Sequence, residues 1–373
     1  MNPILKNASE ENGKYRFTLS GINVSIANAI RRTILADIPA IGIDDEQSNF
    51  IENTGRLHNE ILKQRLACIP VFVKNKDEIE TFIEKYMVEV DVTNETDNIM
   101  FVTTKDFRIK NKATGSYMNE QDRNQIFPAN PETQMYIDFS RLRAMVGDSV
   151  KPEHLSFTAE FTVKTAKQNG GYSVVSSCAY GNTIDHVRAK DIWNVKEKEM
   201  RDQELAEEEI QMAKKNFHIL DAQRFYVEDS FDFIIETIGV YTNYEIMRKA
   251  CLILQNQFVD FVESIENDDV VIGPSESAKE FSTMENSFNI ILEKKDYTFG
   301  KVLEYICYNE FFENQKILTF SGFKKFHPHD ENSVLRLAFI QKMEINDIRN
   351  KLKEACVLAS EIFVSIHGKI PEK

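Results

Sequence analysis

The sequence predicts an α+β fold made of small sheets, each carrying a long helix. Three observations point there. Short stretches alternate polar and apolar residues, as in Lys14-Tyr15-Arg16-Phe17-Thr18-Leu19-Ser20, the pattern of a strand with one buried face. Two other stretches, 242–265 and 345–366, repeat apolar residues every three or four positions, the pattern of a helix with one buried face. Between them lies a polar stretch, 266–285, containing Asp268-Asp269, Gly273-Pro274 and Ser275-Glu276-Ser277. The 373 residues suffice for two or three domains.

Taken in order, the strand at 14–20 should be followed by a helix on which Ile26, Ile30 and Ile34 share a face, with Ser25 as its cap. Pro39 stops that helix, because proline disfavours helical geometry at the residue before it. Ala40 to Glu46 is expected as a strand and Leu57 to Cys68 as a second helix, ended by Ile69-Pro70. Residues 71–227 differ in texture. Alternating runs at 87–92, 135–139 and 155–163 sit between polar loops, which predicts an inserted, strand-rich mixed domain. The charge run at 196–215 predicts one exposed, solvated helix.

Residues 229–240 are expected as a core strand. The long helix after it opens at Thr242-x-x-Glu245, a capping box, and carries Met247, Cys251, Leu254, Phe258, Phe261 and Ile265 on one near-heptad seam. The last unit repeats the plan. Ser287 to Leu292 is a strand, 296–300 a turn and helix start, 302–308 a helix, and 317–320 and 334–339 strands. The closing helix carries Ile348, Leu352, Cys356, Ala359 and Phe363 on one face. The predicted division is therefore 1–70 with 228–265, an insertion at 71–227, a linker at 266–285, and a final unit at 286–373. The two seams are complementary in kind, so the two long helices should bury each other as an intramolecular pseudo-dimer.

Composition narrows the function. Lys and Arg number 45 against 59 Asp and Glu, a net charge of −14. Nucleic-acid binders gain most of their affinity by neutralising phosphates, so little direct nucleic-acid contact is expected and protein partners are favoured. Fourteen glycines and nine prolines fall well below the roughly 12% of an average chain, which excludes collagen-like and Pro/Gly-rich disordered classes. Residues 1–17 hold no apolar run of signal-peptide length, and no run approaches the roughly 18 apolar residues of a membrane span. The five cysteines, at 68, 178, 251, 307 and 356, are odd in number and scattered. They predict buried free thiols in a reducing, intracellular compartment, without a disulfide framework, a zinc site or an iron–sulfur site.

No nucleophile elbow, phosphate-binding loop or H-E-x-x-H is present, so no catalytic residues are expected. Asp44, Asp45 and Glu46 lack a glycine loop beside them, and His327 and His329 lack a third ligand, which favours structural roles. A metal- or nucleotide-dependent enzyme built on Asp44, Asp45 and His327 is one alternative. A regulatory adaptor binding through the acidic 196–209 segment is the other.

Two stretches carry a family resemblance. Ala27-Asn28-Ala29-Ile30-Arg31-Arg32-Thr33-Ile34-Leu35-Ala36-Asp37-Ile38-Pro39 is followed by Leu57-His58-Asn59-Glu60-Ile61-Leu62-Lys63-Gln64-Arg65-Leu66-Ala67-Cys68-Ile69-Pro70. This resembles the alpha-type assembly subunits of multisubunit DNA-dependent RNA polymerase: the bacterial alpha amino-terminal domain, the archaeal D subunit and the third-largest subunit of RNA polymerase II. The last unit resembles their small partner, the archaeal L subunit or the eleventh subunit of RNA polymerase II, through Asp296-Tyr297-Thr298-Phe299-Gly300-Lys301-Val302-Leu303 and Phe320-Ser321-Gly322-Phe323-Lys324-Lys325-Phe326-His327-Pro328. Tyr297 and Lys301 stand where that family usually has His and Asn. A fused pair resembles the arrangement in some large cytoplasmic DNA viruses, which would place the chain in a viral factory or virion.

The resemblance implies a non-catalytic assembly platform that binds the second-largest and largest polymerase subunits and other small subunits, with no cofactor of its own. It implies partner contacts at Asn28, Arg31, Arg32, Glu60 and Arg65. Adjacent arginines diverge by about 100° on a helix, so one of Arg31 and Arg32 can face the domain and the other a partner. Gly300 and Gly322 are expected at turns, where glycine permits positive φ.

Overall fold

The chain first turns on itself at Asn12-Gly13. A computed structural model describes residues 1–73, 79–145, 147, 151–274 and 284–371. Strands β1 (Ile4–Glu11) and β2 (Lys14–Ser20) pair antiparallel across that turn. Asn12 and Gly13 take φ of 51° and 74°, the left-handed values a two-residue hairpin turn requires. Helix α1 (Val24–Ala36) follows. Its cap is Asn23, whose Oδ1 accepts from the Ser25 N–H at 2.9 Å, rather than Ser25 as the sequence predicts.

Next come β3 (Pro39–Asn53), α2 (Asn59–Ala67), α3 (Ile79–Lys85), β4 (Tyr86–Asn94), β5 (Met100–Thr103), β6 (Arg108–Asn111), α4 (Glu120–Ile126), β7 (Asp138–Leu142) and β8 (Glu153–Thr165). Then follow β9 (Val175–Ile184), α5 (His186–Asp202), α6 (Glu207–Ile219), β10 (Tyr226–Thr237) and α7 (Asn243–Glu266). The last stretch holds β11 (Ile272–Pro274), β12 (Ser287–Leu292), α8 (Tyr297–Cys307), β13 (Leu318–Lys324), β14 (Ser333–Phe339) and α9 (Ile345–His367). The end of α8 widens into a π-turn at Tyr308–Asn314.

The chain divides into two compact units, Met1–Ile34 with Ser177–Glu236 and Asn243–Lys373, and Leu35–Ser176 with Thr237–Thr242. The first unit holds two four-stranded sheets of one design, β1-β2-β10-β9 and β11-β12-β14-β13. In each, the second strand leads into a short helix (α1 or α8) and the third into a long one (α7 or α9). The two long helices pack on each other. All six predicted seam residues of α7 are buried, as are Ile348, Leu352, Cys356, Ala359 and Phe363 on α9. Phe258 stacks on Phe299 of α8 at 4.4 Å between centroids and lies 6.0 Å from Phe363. Each such side chain contributes about 1.5–3 kcal/mol through burial.

The second unit is built on the sheet β3-β8-β4-β6 and the ribbon β5-β7. Its core runs through Ile43, Leu62, Val88, Phe107, Phe139 and Phe157. Its main stretch, Leu35–Ser176, starts before the predicted 71 and ends before 227, and the unit also takes in Thr237–Thr242. The reason is strand pairing. The expected strand at 40–46 is the start of β3, which pairs with β8 from Pro39↔Thr165 onward, while β9 joins the first sheet beside β10.

Three further expectations change. The charge run at 196–215 is not one helix. It spans the end of α5 and most of α6, broken at 203–206, and the two helices bury Trp193, Ile210 and Phe217 between them. Within the predicted linker, β11 pairs with β12 at Ile272↔Ile290; residues 275–283 lie outside the described residues. Gly300 sits inside α8 and Gly322 inside β13, neither with positive φ. What they supply is room. A Cβ at Gly300 would overlap the Phe323 ring, and one at Gly322 would come within 2.5 Å of Phe320.

Candidate partner interface around helices α1 and α8

On α1 the apolar face takes Ile26, Ala27, Ile30, Thr33 and Ile34 into the core, which leaves Asn28, Arg31 and Arg32 half-buried at its edges. Asn28 Oδ1 accepts from Arg31 Nη2 at 2.8 Å and from Nε at 3.2 Å, so the amide holds the guanidinium along the helix. Burial pushes the Cys178 thiol up to about 12, against the opposing charge of Arg31. Arg32 turns the other way. Its Nε donates to Thr298 Oγ1 at 2.8 Å and its Nη2 to Asp296 Oδ2 at 3.1 Å, at the start of α8. The two adjacent arginines diverge: Arg31 stays with Asn28 on its own helix, and Arg32 reaches the start of α8.

Beside Asn28 opens a groove of about 550 Å³, bordered by Tyr180, Lys301, Glu304, Tyr305 and Tyr308. Lys301, at the family's usual Asn position, forms an ion pair with Glu304 one turn on at 2.5 Å. Tyr308 donates to the Glu313 carboxylate, and that contact raises the pKa of its phenol. The groove is thus lined by hydroxyls, amides and one internally paired cation.

Glu60 and Arg65 lie in the second unit. Glu60 is exposed in the first turn of α2, where a carboxylate is favoured by the amide dipoles. Arg65 donates to the Phe139 carbonyl at 2.8 Å and the Asp138 carbonyl at 2.6 Å. Its guanidinium ties α2 to β7. The five predicted contact residues therefore fall into two sets: Asn28, Arg31 and Arg32 in one unit, Glu60 and Arg65 in the other.

The acidic and histidine clusters have local explanations. Asp44 is buried, and Lys164 Nζ lies 3.2 Å from its Oδ1 and 3.5 Å from Asp45 Oδ1. His327 Nδ1 accepts the His329 N–H at 3.1 Å, and the Asp330 carboxylate accepts the His327 N–H at 2.9 Å, the contacts of a turn. Among the described residues no group of three or more His, Cys, Asp or Glu is placed to hold a metal ion. None of the described helices is long and apolar enough to cross a membrane. Four of the five thiols are buried; Cys68, at the exposed end of α2, is the exception to the expected burial.

Sequence reasoning missed Asn23, Tyr180, Tyr305 and Tyr308. Asn23 was findable, since asparagine before an apolar-periodic stretch is a strong cap signal. The tyrosines carry no such local mark; the meeting of α1, α8 and β9 brings them together.

The model of the RNA polymerase Rpb3/Rpb11 dimerisation domain matches residues 16–258, more than half of the chain. The chain belongs to this family. Among curated relatives, the DNA-directed RNA polymerase subunit Rpo3 of Pyrococcus furiosus is 46% identical over 56 residues, 15% of this chain and 21% of that one. Rpo3 of Methanosarcina mazei is 36% identical over 75 residues, 20% of this chain and 26% of that one. The DNA-directed RNA polymerase II subunit RPB3 of Schizosaccharomyces pombe is 39% identical over 62 residues, 17% of this chain and 20% of that one. The aligned stretches thus span about a fifth to a quarter of these relatives' length. Helix α1 and the part of α7 up to Phe258 lie inside the matched range, while Phe261 and Ile265 of the seam lie beyond it.

Proposed function

We propose that the chain is a non-catalytic assembly subunit of a DNA-directed RNA polymerase, carrying both dimerisation halves in one polypeptide. The observation that supports this best is the position of the second sheet. Strands β12 to β14 with α8 and α9 lie beyond residue 258, where the family match ends, yet they repeat the strand order of the matched part within the same unit. The second half would then play the role of the small partner. Fusion raises its effective concentration to about millimolar if the connection spans the sites.

On this reading the second-largest and largest subunits bind surfaces that include Arg31 with Asn28 and Glu60, and other small subunits dock beside them. Arg32 and Arg65 shape those surfaces from within. The chain works in a reducing intracellular compartment, contacts nucleic acid little and carries no zinc or iron–sulfur group. The fusion itself favours a polymerase of the large-DNA-virus type. A tagged chain purified from its native source should bring down two large polymerase subunits identifiable by mass spectrometry. Their absence would sink the reading. Arg31→Glu should leave the chain folded and weaken that capture.

A further inference from the structure

Call the part with β1, β2, α1, β9, β10 and α7 the first half, and the part with β11 to β14, α8 and α9 the second. Their helices can be matched residue by residue. Asn23 caps α1 through its Oδ1 to the Ser25 N–H at 2.9 Å, and Asp296 caps α8 by the same contact to the Thr298 N–H at 2.8 Å. Counted from these caps, Arg32 and Tyr305 hold equivalent places. Arg32 reaches Asp296 and Thr298. Tyr305 lines the groove together with Asn23 and Ser25, and the buried Ser25 Oγ has no hydrogen-bond partner. The halves are thus related by an approximate twofold in position but not in charge. One crossing has a guanidinium on a carboxylate; its twin has a tyrosine that shares a groove with an asparagine cap, a pair without opposite charges.

The long helices repeat this inequality. Ala250-Cys251 in α7 and Ala355-Cys356 in α9 are equivalent, which makes Arg248 the counterpart of Lys353. Lys353 pairs with Glu266 at 3.1 Å, and Arg349 with Asp268 at 3.0 Å. Arg248 instead donates to the Ile370 carbonyl at 3.1 Å.

We propose that these unequal crossings are a recognition device by which the first half selects the second half over a copy of itself. The partner the surface fits is the unlike half, in the same chain or in another copy. Two second halves would set Tyr305 against Asp296, with no guanidinium at that crossing. Two first halves would set Arg32 against Asn23. Only the unlike pairing gives Arg32 a carboxylate, and a contact that wrong pairings lack provides selectivity even where its net stabilisation is small. The inference does not depend on what the chain assembles with.

Reciprocal charge reversal in the full chain tests it. A tagged Arg32→Glu chain and an untagged Asp296→Lys chain are unfolded in urea and refolded together. Each alone sets like charges against each other, whereas exchange of second halves between them restores opposite charges at both crossings. Retention of the untagged chain should exceed that of a wild-type pair by about fivefold or more. Retention no higher than the wild-type pair would overturn the device. One chain carrying both reversals should melt above either single variant; no recovery would count against it equally. Should the reversed chains fail to refold, Arg32→Gln, Asp296→Asn and their combination serve, because Asn keeps the cap as Asn23 does. A combined loss smaller than the sum supports the proposal, and additive losses overturn it.

Discussion

The two sheets of the first unit share a strand order and differ in what hangs between their strands. In the second, α8 returns to the sheet through one π-turn before β13. In the first, the chain leaves after α1, builds the Leu35–Ser176 part of the second unit, and comes back at β9. Both sheets nevertheless close with a long helix on the same seam. The difference teaches that strand order and the final helix define the half, while the connection between its second and third strands is free to grow. Loop-closure entropy rises only slowly with length, and an inserted unit with its own core needs little from its host.

The strongest way to break this comparison is at the seam. Phe258→Ala removes a fully buried ring from contact with both Phe299 and Phe363. It should cost about 3–5 kcal/mol in urea unfolding. Phe363→Ala, at the equivalent place on α9, should cost a similar amount. If one twin proves neutral, the halves do not share a common seam.

The next effect separates twins that differ. Gly300 and Ala27 each lie four residues after their caps. Gly300→Ala gains helix propensity yet forces the Phe323 ring aside, and should destabilise by about 1–3 kcal/mol. Ala27→Gly should lose about 0.5–1 kcal/mol from backbone entropy alone. Adding Phe323→Leu should relieve the first and leave the second untouched, as measured by thermal melting.

The caps refine the comparison further. Asn23→Ala should cost about 1 kcal/mol. Asp296→Ala should cost more, because it also removes the contact to Arg32. Equal losses would mean that Arg32 gains nothing from the carboxylate.

The smallest effect falls in the inserted unit, which the second half lacks. His154 lies between Asp91, 2.7 Å from Nε2, and Glu52, 2.9 Å from Nδ1, and these contacts raise its pKa above 6.5. The folded state therefore binds the proton more tightly than the unfolded one. Its contribution is fully present below pH 6.5 and disappears as pH rises through the folded-state value. Stability measured by urea unfolding between pH 5 and pH 9 should show that decline, and His154→Gln should flatten it. Partly exposed partners keep the change to a few tenths of a kcal/mol.

Much of the fold was legible because its periods were clean. The seams on α7 and α9, the strand at 287–292 and the stop at Pro39 each follow from apolar spacing or from proline's geometry, which act locally. The proposed contact residues were legible only as types. Arg31 and Arg32 are adjacent in sequence, yet one is held by Asn28 and the other by Asp296, and no spacing rule distinguishes them. The glycine roles were misread for the same reason: Gly300 answers to Phe323, more than twenty residues away.

The sequence by itself determined the element types, the two seams and the acidic charge that disfavours phosphate, since these depend on periodicity and composition. Only the tertiary structure decided where the inserted unit begins, because β3 pairs with β8 rather than with the strand nearest in sequence. Only the tertiary structure decided that Arg32 meets a carboxylate while Tyr305 lines a groove with the Asn23 cap. Contacts between residues more than 250 positions apart are set by how the two sheets pack through their long helices, and that packing leaves no local trace in the chain.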